Sequence, residues 1–122
     1  DFAQPEAAAK VLAENRDIVL GVKVRMSENV IARHGLEPLK RAIRACEIAG
    51  AGKIMCHIGG VESRQLMSEI LDTLRPGDIL THCFTGRENR IYGDDGLIRD
   101  NIKKLHAAGL VLDVADAPPA TW

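Results

Sequence analysis

Aromatic residues are nearly missing from this sequence: one tryptophan, one tyrosine and two phenylalanines in 122 residues. That is too few for the stacked platforms on which single-stranded nucleic acids bind. Net charge is equally scant, at −1. No basic field therefore draws the chain to nucleic acid or to an anionic membrane surface. No apolar run approaches the ~20 residues of a membrane-spanning helix. The opening "DFAQPEAAAK" lacks the basic start and apolar core of a signal peptide. It reads instead as the entry to a helix, as though the chain begins within an architecture. Cysteine is sparse. Cys46, Cys56 and Cys83 show no CxxC spacing, which argues against a disulfide framework and for a reducing, cytoplasmic setting. Each reads as a small buried hydrophobe, and no base with its orienting group accompanies Cys56 or Cys83, as a nucleophile would need.

What the sequence does have is alternation. The runs "DIVLGVKVRM" (17–26), "KIMCHI" (53–58), "DILTHCF" (78–84) and "LVLDVA" (110–115) are rich in Ile, Val and Leu. They are nearly continuous, as strands buried on both faces are. Helical spacing fills the intervals: Pro5 to Asn15, Leu36 to Ala49, Val61 to Leu74 and Leu97 to Ala108. Gly50, Gly52 and Gly109 follow helical segments, where left-handed caps are expected, and "RPGD" (75–78) signals a turn. The order predicts an α/β fold with a parallel sheet and right-handed crossovers, undivided over residues 1–122.

Two of the runs share a plan. "GKIMCHIGG" (52–60) and "GDILTHCFTG" (77–86) both read Gly, charged residue, Ile, Met or Leu, Cys or Thr, His. Each strand is entered from a helix and left into a loop, so His57 and His82 fall near carboxyl ends that point the same way. That edge carries the site in α/β folds. Two imidazoles there could share a metal ion, or they could be hydrogen-bonded core histidines. Lys23 is the odd residue, a lysine within a run that should be buried. It could reach a carboxylate or solvent, form a Schiff base, or add carbon dioxide to give a carbamate able to bridge two cations. Arg25 and Asn89 lie beyond apolar runs near the same rim and are candidates for holding an anionic substrate. Asp113 reads as a structural hydrogen-bond acceptor as readily as a functional group. His34, in a connection, and His106, in a last helical turn where a cation suits the dipole, read as structural or solvated.

The segments "GVKVRMSENVIARHGLEPLKRAI", "KIMCHIGG" and "GDILTHCFTGRENRI" are similar, in that order, to the dihydroorotase-like deacetylase branch of the amidohydrolase superfamily. The similarity runs from about residue 5 to Asp113. It implies part of a (β/α)8 TIM barrel, strands four to seven, with one or two divalent metals, usually zinc, at the carboxyl rim. It matches Lys23 to a carboxylated lysine that bridges the metals, and His57 and His82 to metal-ligating histidines on strands five and six. It implies hydrolysis of an N-acyl or cyclic amide, or a related acyl compound, by a metal-bound hydroxide. The family also uses an HxH pair on strand one and a catalytic aspartate on strand eight. This chain has no HxH, and no residue of it is assigned as catalytic.

A whole barrel takes ~250 residues. The chain is therefore expected to be an internal fragment of about half a barrel, inactive alone, that self-associates or pairs with a missing half. Its tail, "ADAPPATW", departs from the glycine-rich segment the family shows there. The expected partner of the complete site is a small-molecule substrate. Two other readings compete: a non-catalytic α/β binding or scaffold domain with structural histidines, and a Schiff-base lyase using Lys23.

Overall fold

A computed structural model describes residues 4–59, 64–86 and 90–115. Its elements run α1 (Pro5–Glu14), β1 (Gly21–Ser27), α2 (Glu28–His34), α3 (Glu37–Ala49) and β2 (Lys53–Gly59). They continue with α4 (Arg64–Thr73), β3 (Ile79–Thr81), α5 (Asp100–Ala107) and β4 (Val111–Asp113). The four strands form one sheet in the order β1-β2-β3-β4, and every pair is parallel. This is the α/β topology that the alternation of the sequence predicts.

The helices form for local reasons. Pro5 opens α1, and Pro38 lies in the first turn of α3, where a missing N–H breaks no intrahelical bond. α3 buries Leu39, Ala42, Ala45, Cys46 and Ala49. The small side chains of Ala42, Ala45, Cys46 and Ala49 let α1 lie close, and Ala9 and Leu12 of α1 are buried with them. The Arg16 guanidinium donates to the carbonyl of Ala49, tying the ends of the two helices together. Gly50 ends α3 in the left-handed conformation at φ 71°, and the N–H of Ala51 returns to the Cys46 carbonyl at 3.1 Å.

The amino end of the sheet is clasped by Asp78, which is 1% exposed. Its Oδ1 accepts the N–H of Ile54 at 2.8 Å, and its Oδ2 accepts the N–H of Arg75 at 2.8 Å. The Arg75 guanidinium reaches both carboxylate oxygens at 3.0 and 3.1 Å and the Gly52 carbonyl at 3.1 Å. The Asp78 carbonyl accepts the N–H of Val111 at 2.9 Å. One residue thus ties the starts of β2, β3 and β4 together. The sequence marks it only as the last letter of a turn.

Three expectations are corrected. Strands β1 and β2 are not buried on both faces, whereas β3 buries Leu80 and Thr81 in succession. Along β1, Val24 and Met26 are buried while Lys23 and Arg25 are exposed; along β2, Ile54, Cys56 and Ile58 are buried and the residues between them less so. Across β1 and β2 one face packs against helices and the other is more open among the described residues, while at β3 both Leu80 and Thr81 are covered. The segment after β1 is helical, so His34 closes α2 rather than lying in a connection. Leu97 is 65% exposed and precedes α5, while Ile98 bridges Tyr92 outside the helix. Both belong to the loop between β3 and α5, where the N–H of Arg99 donates to the Ile91 carbonyl at 2.9 Å. Val61 lies outside the described residues.

Candidate metal centre

Parallel register sets residues of different strands at one level. Arg25 pairs with His57, His57 with Thr81, and Thr81 with Asp113. Alternation along each strand puts this row on the more open face. Lys23 lies on the same face two residues earlier, level with Met55. The row therefore runs from a guanidinium at the β1 edge, past an imidazole, to a carboxylate at the β4 edge. Thr81 is buried, and its hydroxyl donates to Asp113 Oδ2 at 2.6 Å. Asp113 is thereby engaged as an acceptor.

His82 should not belong to this group. Residue 82 follows Thr81, so strict alternation would turn its side chain toward the helices. It escapes because it adopts φ 63°, the left-handed region, as no other described non-glycine residue does. The turn of the backbone breaks the alternation. The His82 ring comes back over the more open face to meet His57, with ring centroids 4.1 Å apart and planes tilted by 54°. A non-glycine residue in this region costs about 1–3 kcal/mol, and such strain concentrates at functional sites. The loop after β3 braces the turn. The N–H of Ile91 donates to the Cys83 carbonyl at 3.3 Å, and the Tyr92 hydroxyl to the Thr85 carbonyl at 2.8 Å. No sequence signal marks the turn, since glycine, the usual residue there, is absent at 82.

Burial pushes the pKa of His57 down to about 4, and His82, Arg25 and Lys23 add to the effect. His57 is therefore neutral at neutral pH, with a lone pair free for a cation, which is the state a metal ligand needs. Lys23 is exposed on the same face. Its ammonium is hydrated because no second layer covers that face, and this removes the awkwardness of a lysine in a strand. Arg25 is also exposed, and its Nε donates to Ser27 Oγ at 2.9 Å. Asn89 lies outside the described residues.

The thiols take no part. Burial pushes Cys56 up to about 12 and Cys83 up to about 11, and all three cysteines are buried. His106 turns its Nδ1 to the Leu110 carbonyl at 2.9 Å, a structural contact at the end of α5. A cavity of about 290 Å³ borders the outer edge of β1, lined by Lys23, Arg25, Val22, Val24, Ala42 and Ala45 among others. Neither histidine lines it, so it is a gap beside an unpaired strand rather than the cleft of the pair.

The histidine pair fits part of a metal-ligand set. Among the described residues no group of three His, Cys, Asp or Glu side chains is placed to hold a metal ion. Among the described residues, two imidazoles in contact and an amine on the same face are what is offered.

No family model matches the sequence. A deacetylase of Enterococcus faecalis is 35% identical over 112 residues, covering 91% of this chain and 30% of that protein. A deacetylase of Agrobacterium fabrum is 31% identical over 102 residues, covering 84% of this chain and 24% of the relative. The solved structure of an adenine deaminase superposes with a TM-score of 0.79 at 35% identity, over 91% of this chain and 30% of that one. The chain belongs to the amidohydrolase superfamily. A dihydroorotase structure agrees, with a TM-score of 0.63 at 29% identity over 86% of this chain and 28% of its own. The chain spans about 30% of the length of the first curated relative it matches. Its four βα-type units are accordingly a portion of the amidohydrolase TIM barrel, and the more open face corresponds to the inside of that barrel. This is why a sheet with apolar strands can leave one face open here.

Proposed function

We propose that this chain is the part of a metal-dependent hydrolase that supplies Lys23, His57 and His82 to a divalent metal centre, zinc in the first instance. The reaction is hydrolysis of an N-acyl or cyclic amide, or of a related acyl compound. The observation that carries the reading is the placement of His82. A histidine is held in a costly left-handed conformation, and the result is an imidazole against His57 at the carboxyl rim. A domain with merely structural histidines would gain nothing from that conformation. The names of the curated relatives, deacetylases, support acyl chemistry.

His57 and His82 would hold the metal through ring nitrogens. Lys23, on the same face, would join them as a carbamate once it has added carbon dioxide. A divalent cation, when bound, supplies Lewis acidity and makes water acidic enough to be a nucleophile at neutral pH. The chain's own residues bind and orient. Burial and the neighbouring cations keep His57 unprotonated, and the Thr81–Asp113 hydrogen bond holds the far end of the row. Among the described residues three donors do not complete a centre of the kind that works on amides, so the chain alone is expected to be inactive. Its unpaired β1 and β4 edges favour self-association or pairing with the rest of a barrel.

The test is cobalt(II) titration of the chain followed by visible absorption, with zinc as competitor. Saturable binding that is lost in both His57→Ala and His82→Ala supports the reading. Binding unaffected by either substitution, or none at all, sinks it. A Schiff-base lyase requires a desolvated amine, and the exposure of Lys23 does not favour that alternative.

A further inference from the structure

We propose that Asp113 is the positioning residue that seats the His82 ring against His57, gripping the chain on both sides of the left-handed turn. The use of that seating in a metal centre rests on the hydrolase reading above.

β3 and β4 end on the same rung, where Thr81 pairs with Asp113. His82 is the next residue, and the ladder no longer holds it. Two side chains carry the tie past that point. The Thr81 hydroxyl donates to Asp113 Oδ2 at 2.6 Å, a short bond of the charge-assisted kind. The Cys83 thiol donates to the Asp113 carbonyl at 3.7 Å. One residue of β4 therefore holds positions 81 and 83, and residue 82 must bridge them. Thr81 and Cys83 are both buried, so water competes poorly for either bond.

The left-handed conformation of His82 is costly for a residue with a side chain. Freed from its neighbours, the backbone would relax toward the extended region, and the ring would turn to the helix side. The Ile91 N–H holds Cys83 by its carbonyl but leaves Thr81 untouched. Asp113 reaches both flanks. A mere edge tie would not need this carboxylate, because three backbone pairs already join β3 to β4. What the two side-chain bonds add lies at residue 82, the one place where the ladder has stopped and the chain is strained. The hydrogen bonds that Asp113 receives from side chains come from Thr81 and Cys83, and among the described residues none comes from an imidazole. It acts on His82 through the backbone.

The experiment reads the ring contact directly. In the metal-free chain, NMR should show a nuclear Overhauser effect between ring protons of His57 and His82, whose centroids lie 4.1 Å apart. Asp113→Ala should abolish it and weaken cobalt(II) binding about tenfold. Asp113→Asn keeps an acceptor oxygen for Thr81, and should restore the contact and most of the affinity. Thr81→Val removes the same bond with little change of shape and should reproduce the alanine result; it carries the test if Asp113→Ala does not fold. A tie that serves only the sheet would lower stability yet leave the ring contact and the cobalt affinity of the folded chain unchanged. That result would overturn the proposal, as would the absence of the contact in the unsubstituted chain. Cobalt binding that neither Asp113→Ala nor Thr81→Val weakens removes the positioning role and keeps the hydrolase reading. A ring contact that depends on Asp113 in a chain that binds no cobalt removes the hydrolase reading and keeps the positioning role.

Discussion

Removing the Asp78 carboxylate tests whether the amino-end clasp holds the sheet in register. In Asp78→Ala the buried N–H of Ile54 loses its acceptor, at about 1–3 kcal/mol for an unsatisfied buried donor. The Arg75 N–H and guanidinium also lose Asp78. The Arg75 side chain is 35% exposed and can rehydrate, so its pairing is discounted to about 1 kcal/mol. The expected loss is about 3 kcal/mol, toward the low end of what breaking a buried ion pair costs. Asp78→Asn keeps an acceptor for Ile54 and should cost about half as much, roughly 1–2 kcal/mol. The assay is urea unfolding of the chain. With a slope of about 2 kcal/mol per molar urea, the midpoint of the alanine variant should fall by about 1.5 M. A loss below about 1 kcal/mol would refute the clasp. Equal losses in the two variants would show that the charge on Arg75, and not the backbone of β2, is what Asp78 serves.

Gly21→Ala should destabilise the chain by about 2 kcal/mol or more, because a Cβ there would sit 1.9 Å from the backbone oxygen of Lys53; an unchanged urea midpoint would contradict the β1–β2 register. His82→Gly should leave stability against urea level or raise it by up to about 1 kcal/mol, since glycine adopts φ 63° without strain, while cobalt binding is lost; a clear destabilisation would mean that the left-handed turn carries no strain. In the metal-free chain His57 should titrate near pH 4 in a ¹H–¹³C NMR series, its pKa depressed first by burial. The unfolded chain then binds more protons than the folded one between about pH 4 and 6.5, so stability should fall as pH is lowered through that window; a His57 titration near 6.5 would remove the effect.

The sheet was legible because its determinants are local. Apolar runs between helical stripes, with Pro5 opening α1 and Gly50 ending α3, allow little except parallel strands joined by crossovers. The shared plan of "GKIMCHI" and "GDILTHC" likewise sets His57 and His82 at a common rim, because parallel strands all end on one side. Which way a side chain faces at that rim is a different kind of fact. By period-two alternation His82 belongs to the helix side, and only a backbone reversal at one residue, braced by Ile91 and Tyr92, returns it to His57. No composition or spacing encodes that reversal. The near-continuous apolar runs suggested burial on both faces, whereas Lys23 and Arg25 of β1 are exposed on one of them. The level row of Arg25, His57, Thr81 and Asp113 is also a product of register alone. Register is set by long-range hydrogen bonds such as those of Asp78, which join residues 24 apart. Sequence determined which elements form and which end of the sheet carries the chemistry. Tertiary structure decided which side chains meet there, because side-chain direction depends on single backbone dihedrals and on contacts between distant strands.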